Sequence, residues 1–149
     1  TWQSRFMPSG AMVAGRVDTL HWLTFGTPET LPLLYSEQPT LMTNGRQQAV
    51  VRVGVLNPNQ DAEKARAINW STIPQGHDLN VRMSGLLWPE AASRIANSAY
   101  VTRERVGKGQ VILFSGQPNF RGSTRGVGRL WLNALVYGAG LGTSAAVKL

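Results

Sequence analysis

The chain contains no cysteine. Disulfides, thiolate zinc sites and a cysteine nucleophile are therefore excluded together. It has two histidines, His21 and His77, and no His-x-x-Glu or His-Glu-x-x-His spacing. A metal site would need such a pattern, with carboxylates gathered by the fold. Both histidines read as structural, His21 in an apolar turn and His77 in an exposed one. No apolar run approaches bilayer length; Val111 to Phe114 is representative. No basic-then-apolar segment opens the chain. Because the first residue is Thr1 rather than Met, we expect a processed chain or an excised domain.

Acid is scarce. Eight acidic residues face 15 basic ones, for a formal net charge of +7. After Glu104 there is no acid, while Arg105, Lys108, Arg121, Arg125, Arg129 and Lys148 follow. The carboxylates form no evident acid/base pair by spacing. A basic balance suits nucleic acid, anionic lipid or acidic polysaccharide. Yet exposed aromatics interleaved with Lys and Arg are few, so a solvated arginine-rich surface is preferred and a nucleic-acid partner is not expected. No Gly-x-Ser-x-Gly elbow occurs. An enzyme with a diffuse site near Ser115, at a strand end, and His21 is a third reading, and it ranks last.

What is present supports a packed core. The chain has 149 residues, of which 42% are hydrophobic and 15% charged. This fits one domain, residues 1–149, with 1–10 as an extended lead-in and 143–149 as a tail. Strands are expected over Ala11 to Asp18, Leu31 to Glu37, Ala49 to Leu56 and within Asp78 to Trp88. Pro32 belongs at a strand start or a sheet edge. A short helix is expected around Asp61 to Ile68, and another from Pro89, where proline suits the first helical position. Tyr100 to Val106 and Gln110 to Gly116 flank Gly107-Lys108-Gly109 as a β-hairpin. The second of these strands is apolar on both faces, the pattern of a covered central strand. Of the five tryptophans, Trp22, Trp70, Trp88 and Trp131 sit near segment ends and Trp2 in the lead-in, and they read as junction packing.

The closing helix is the clearest element. Val127, Leu130, Trp131, Ala134 and Leu135 follow the spacing of a helix lying on a sheet, and Gly138 and Gly140 end it. Arg121, Arg125 and Arg129 precede or open it at four-residue intervals. Together with Lys108 they are the candidate anion-binding or structural basic residues. Free N–H groups at a helix start beside arginines suit an anion. The preferred account is structural. Ser123 or Thr124 caps the helix, Arg121 and Arg125 fasten its start to strand ends, and Arg129 faces solvent. The fold class that follows is α/β or α+β, a mixed sheet with a covering C-terminal helix.

Several pieces, taken in order, resemble the carboxy-terminal region of bacterial zinc carboxypeptidases of the carboxypeptidase A type. They are Ser84-Gly85 with Leu87 to Glu90, Gly107 to Gly109, Phe120 to Gly126, and the Val17 to Pro28 turn, in which Trp22 stands where proline is usual. The likeness spans most of Ala11 to Gly142. It implies a glutamine-amidotransferase-like domain, of which this chain would be the later part. It places zinc in a separate upstream peptidase domain and no cofactor in this chain. An active amidotransferase needs a cysteine, so the resemblance implies a catalytically silent domain. The function so implied is a non-catalytic accessory domain of an exported, periplasmic or secreted, peptidase. It would pack on that peptidase domain or on a second copy. The alternative is a stand-alone module for an anionic polysaccharide or nucleic acid, using the arginines at the helix start.

Overall fold

A computed structural model describes residues 2–68 and 71–143. In chain order its strands are β1 (Ser9–Val17), β2 (Thr30–Ser36), β3 (Gln48–Val53), β4 (Val55–Pro58) and β5 (Arg66–Ile68). They continue with β6 (Ser71–Ile73), β7 (His77–Asn80), β8 (Arg82–Ser84), β9 (Ala99–Val106) and β10 (Gly109–Phe114). The helices are α1 (Pro89–Ile95) and α2 (Arg125–Tyr137), with short 3-10 turns at Trp2–Arg5, Trp22–Thr24 and Phe120–Gly122.

The main sheet runs β10-β9-β3-β1-β2, and β8 pairs with the first half of β1. Every pairing in it is antiparallel. The expected class holds, a sheet with a C-terminal helix, and the antiparallel order puts it on the α+β side. β1 supplies much of the core because its residues alternate between two covered faces: Val13 and Val17 on one, Ala14 on the other. Val13 lies opposite Leu33, and Val17 opposite Val51. Tyr35 and Tyr100, both almost fully buried, meet with ring centroids 6.4 Å apart. Each such aliphatic or aromatic side chain contributes roughly 1.5–3 kcal/mol by leaving water.

Between β3 and β8 the chain leaves the sheet. β4 pairs with β7 and β5 with β6, giving two small ribbons. Arg66 and Asp78 form an ion pair across them. This excursion corrects two expectations. The strand expected over Ala49 to Leu56 breaks at Gly54, whose φ of 98° turns β3 into β4. The short helix expected around Asp61 to Ile68 is a turn followed by β5, because Arg66 to Ile68 finds a strand partner in β6.

α1 starts at Pro89, as expected, and buries Ala91 and Ile95. The lead-in is not wholly extended. Trp2–Arg5 forms a 3-10 turn, in which the Arg5 guanidinium lies 5.9 Å from the Trp2 ring and 5.7 Å from the Trp88 ring. The hairpin β9–β10 is as expected, with Gly107 at a φ of 58° in its turn. β10 is not a central strand, however. It forms the sheet edge, and its Val111 and Leu113 face outward. An apolar run permits either placement; the missing neighbour decides it. Pro32, on the opposite edge strand β2, sits where the lost N–H is harmless. Of the tail 143–149, residues 144–149 lie outside the described residues, as does Trp70.

α2 buries Val127, Leu130 and Asn133 against β2 and the Trp22–Thr24 turn. A Cβ on Gly126 would overlap the Leu31 side chain, so this glycine lets the first turn of α2 approach β2 closely.

Candidate functional site

The basic residues around the helix start do not converge. Arg121, at a φ of 49°, stacks its guanidinium over the Phe120 ring at 5.1 Å. Arg125 is exposed, and its side chain makes no hydrogen bond among the described residues. Arg129 is exposed, and its Nε donates to the Phe25 carbonyl at 3.3 Å. Lys108 is exposed in the β9–β10 turn. The expected division of labour holds in part: Arg129 is exposed, as expected, but it also carries a bond that Arg121 and Arg125 lack. Among the described residues Arg121 and Arg125 make no side-chain bond to a strand end, and Arg129 is the one of the three arginines that bonds another segment. Nor does either expected cap operate. Thr124 holds the cap position without a side-chain bond, and the Ser123 hydroxyl donates to the Phe120 carbonyl at 3.0 Å.

Ser115 and His21 are likewise kept in separate environments. The Ser115 hydroxyl, almost fully buried, donates to the Pro39 carbonyl at 2.6 Å. His21 caps the Trp22–Thr24 turn, its Nδ1 accepting the Leu23 N–H at 3.1 Å. Burial lowers the His21 pKa, Arg103 adds to that effect, and Gln48 and Asp18 oppose it. His77 holds the Gln75 carbonyl at 3.0 Å from its Nδ1. Among the described residues, no three His, Asp or Glu side chains gather as a metal site. No helix there is long and apolar enough to cross a membrane.

Two concave features and one surface stripe stand out. Beside Ser115 a groove of about 860 Å³ is lined by Phe114, Phe120, Trp131 and Gln38. Gln38 is held by its own loop: its Oε1 accepts the Ser36 N–H at 2.7 Å and its Nε2 donates to the Leu34 carbonyl at 3.1 Å. The second feature is a pocket of about 410 Å³ where β1 and β3 meet the turn after α1. Arg16 of β1 and Arg52 of β3 are paired directly across the strands. Arg16 donates to the Gly54 carbonyl at 3.2 Å and to Asn97 Oδ1 at 2.8 Å. Arg52 donates to the Asn97 carbonyl at 3.1 Å. Burial and then the Arg52 charge lower the Arg16 pKa from its usual value. Sequence reasoning missed this pair; the alternation in "AMVAGRV" and "AVVRV" puts each arginine on a strand but does not bring the strands into register.

The stripe lies on α2. Leu132, Leu135 and Val136, at i, i+3 and i+4, are 46%, 61% and 61% exposed. The helix therefore carries one apolar face into the core and a second one outward.

The chain matches no family model, and comparisons with curated proteins and with solved structures give no match.

Proposed function

We infer that this chain is a non-catalytic accessory domain that docks on a catalytic domain through the outer stripe of α2. The observation that carries this reading is the second apolar face of that helix. A helix apolar around most of its girth is normally covered on both sides, and clustered exposed leucine and valine mark interaction surfaces. The order of the pieces between Ala11 and Gly142 supplies the occupant: an upstream, zinc carboxypeptidase-like peptidase domain of the same polypeptide, exported to the periplasm or beyond. Zinc and the hydrolytic chemistry belong to that domain, and no step of it is assigned to residues here. The alternative, an anionic-polymer module using Arg121, Arg125, Arg129 and Lys108, draws little support, because Arg121 lies on the Phe120 ring and Arg129 on the Phe25 carbonyl rather than converging with Arg125.

The test is binding in trans to the peptidase domain encoded upstream in the same reading frame. A complex is expected, and Leu135→Glu should weaken it by about tenfold or more, with chain stability unchanged because the side chain is exposed. An upstream frame without such a peptidase domain would overturn the reading. So would a chain that self-associates through Leu135 and ignores the peptidase.

A further inference from the structure

We propose that the pocket between Arg16 and Arg52 is a binding site for a compact oxyanion, a phosphate or carboxylate group gripped by both guanidiniums. Like charges placed directly opposite in a sheet destabilise it. Here they are paired across β1 and β3, and no carboxylate of the described residues bridges them. Glu29 borders a separate depression on the far side of Arg16. A folded sheet keeps two half-buried cations together at a cost, and an anion held between them reverses the sign of that cost.

The pocket is also preorganised. Asn97 adopts a φ of 58°, the left-handed region that asparagine tolerates. In that conformation its N–H donates to the Val53 carbonyl at 2.8 Å. Its Oδ1 accepts from Arg16, its carbonyl accepts from Arg52, and its Nδ2 donates to the Ser71 hydroxyl. The hydrogen-bonding groups of this one residue are thus spent on fixing the two arginines and Ser71. Most N–H groups of both guanidiniums remain uncommitted, and the Ser71 hydroxyl, an acceptor from Asn97, keeps its own hydrogen for another acceptor. Planar guanidiniums fixed in advance match the oxygens of phosphate or carboxylate without a further ordering cost. A volume of about 410 Å³ admits such a group with a modest remainder, against Leu41 and Met42. The site is remote in character from the α2 stripe and does not depend on what that stripe binds.

Thermal unfolding and isothermal titration with sodium phosphate, sodium acetate and sodium chloride at matched ionic strength test it. Phosphate or acetate should raise Tm in a saturable way beyond chloride, and whichever acts identifies the group recognised. Arg52→Gln should melt at or above the wild-type temperature without anion. It should also lose about tenfold or more in anion affinity, whereas Arg125→Gln should keep the full response. Should Arg52→Gln fold poorly, amide shifts in the wild-type chain serve instead: phosphate or acetate should move Arg52, Asn97 and Ser98 before other residues. Equal rises in chloride, an unchanged response in Arg52→Gln, or shifts centred on the α2 start would overturn the proposal.

Discussion

Asn133 and Leu23 are joined by a buried hydrogen bond of 2.8 Å, from Asn133 Nδ2 to the Leu23 carbonyl. The same Nδ2 donates to the Phe25 carbonyl at 2.9 Å. One polar residue on the inner face of α2 thus satisfies two carbonyls of the Trp22–Thr24 turn and its exit. Asn133→Leu keeps the branching of the side chain and removes both donors. It should lower stability by about 1–3 kcal/mol, the scale for stranding buried carbonyls. Urea titration measures this; wild-type stability in Asn133→Leu would mean the clasp contributes nothing.

The two glycines of the first turns of α2 should respond oppositely to alanine. Gly128 has open space at its Cβ position, so Gly128→Ala should stabilise by about 0.5–1 kcal/mol through helix propensity and reduced unfolded-state freedom. Gly126→Ala drives a methyl into Leu31 and should cost about 1–3 kcal/mol. Equal effects from the pair would contradict the close approach of α2 to β2.

For the arginines, Arg125→Ala should stay within about 0.5 kcal/mol of wild type, as surface substitutions do. Arg129→Ala should cost about 0.5–1.5 kcal/mol, since it gives up the bond to Phe25. Thermal melts in parallel read the difference, and a larger loss in Arg125→Ala would restore the fastening role first expected of it.

Stability should also depend on pH through His21. Its folded pKa lies below the unfolded value of about 6.5. Protonation would charge a buried ring and silence the Nδ1 acceptor that holds the Leu23 N–H. The unfolded chain then binds more protons, so stability is complete above about pH 6.5 and falls as pH drops through the window beneath it. His21→Asn keeps a capping acceptor without the titration. The slope of Tm between about pH 7 and 5 should be shallower in that variant; an identical slope would assign the effect elsewhere.

Local signals proved readable. The Gly107-Lys108 turn between β-branched runs, Pro89 opening α1 and the spacing of Val127, Leu130 and Ala134 each encode an element within a few residues. The long-range arrangement was not. Val111 to Phe114 reads the same at a sheet centre or a sheet edge. Asp61 to Ile68 is polar enough for a helix until β6 pairs with part of it. The opposition of Arg16 and Arg52 exists only once β1 and β3 are aligned, and Asn97 joins them only after α1 has turned the chain back. Each depends on pairing between distant segments, which periodicity does not record. The arginines at the α2 start were visible in sequence because they are evenly spaced, but even spacing gives proximity only along a continuous helix, and the chain turns at Phe120–Gly122 before α2 begins.

β10 ends the sheet with its outer row of N–H and C=O groups unmatched by any described strand, and it presents Val111 and Leu113 beside them. Such a border is a template for strand-to-strand growth between molecules. Preparations of the isolated chain should therefore thicken toward fibrous or gelled material as they are concentrated. A single lysine at Val111 would be the simplest way to keep them fluid.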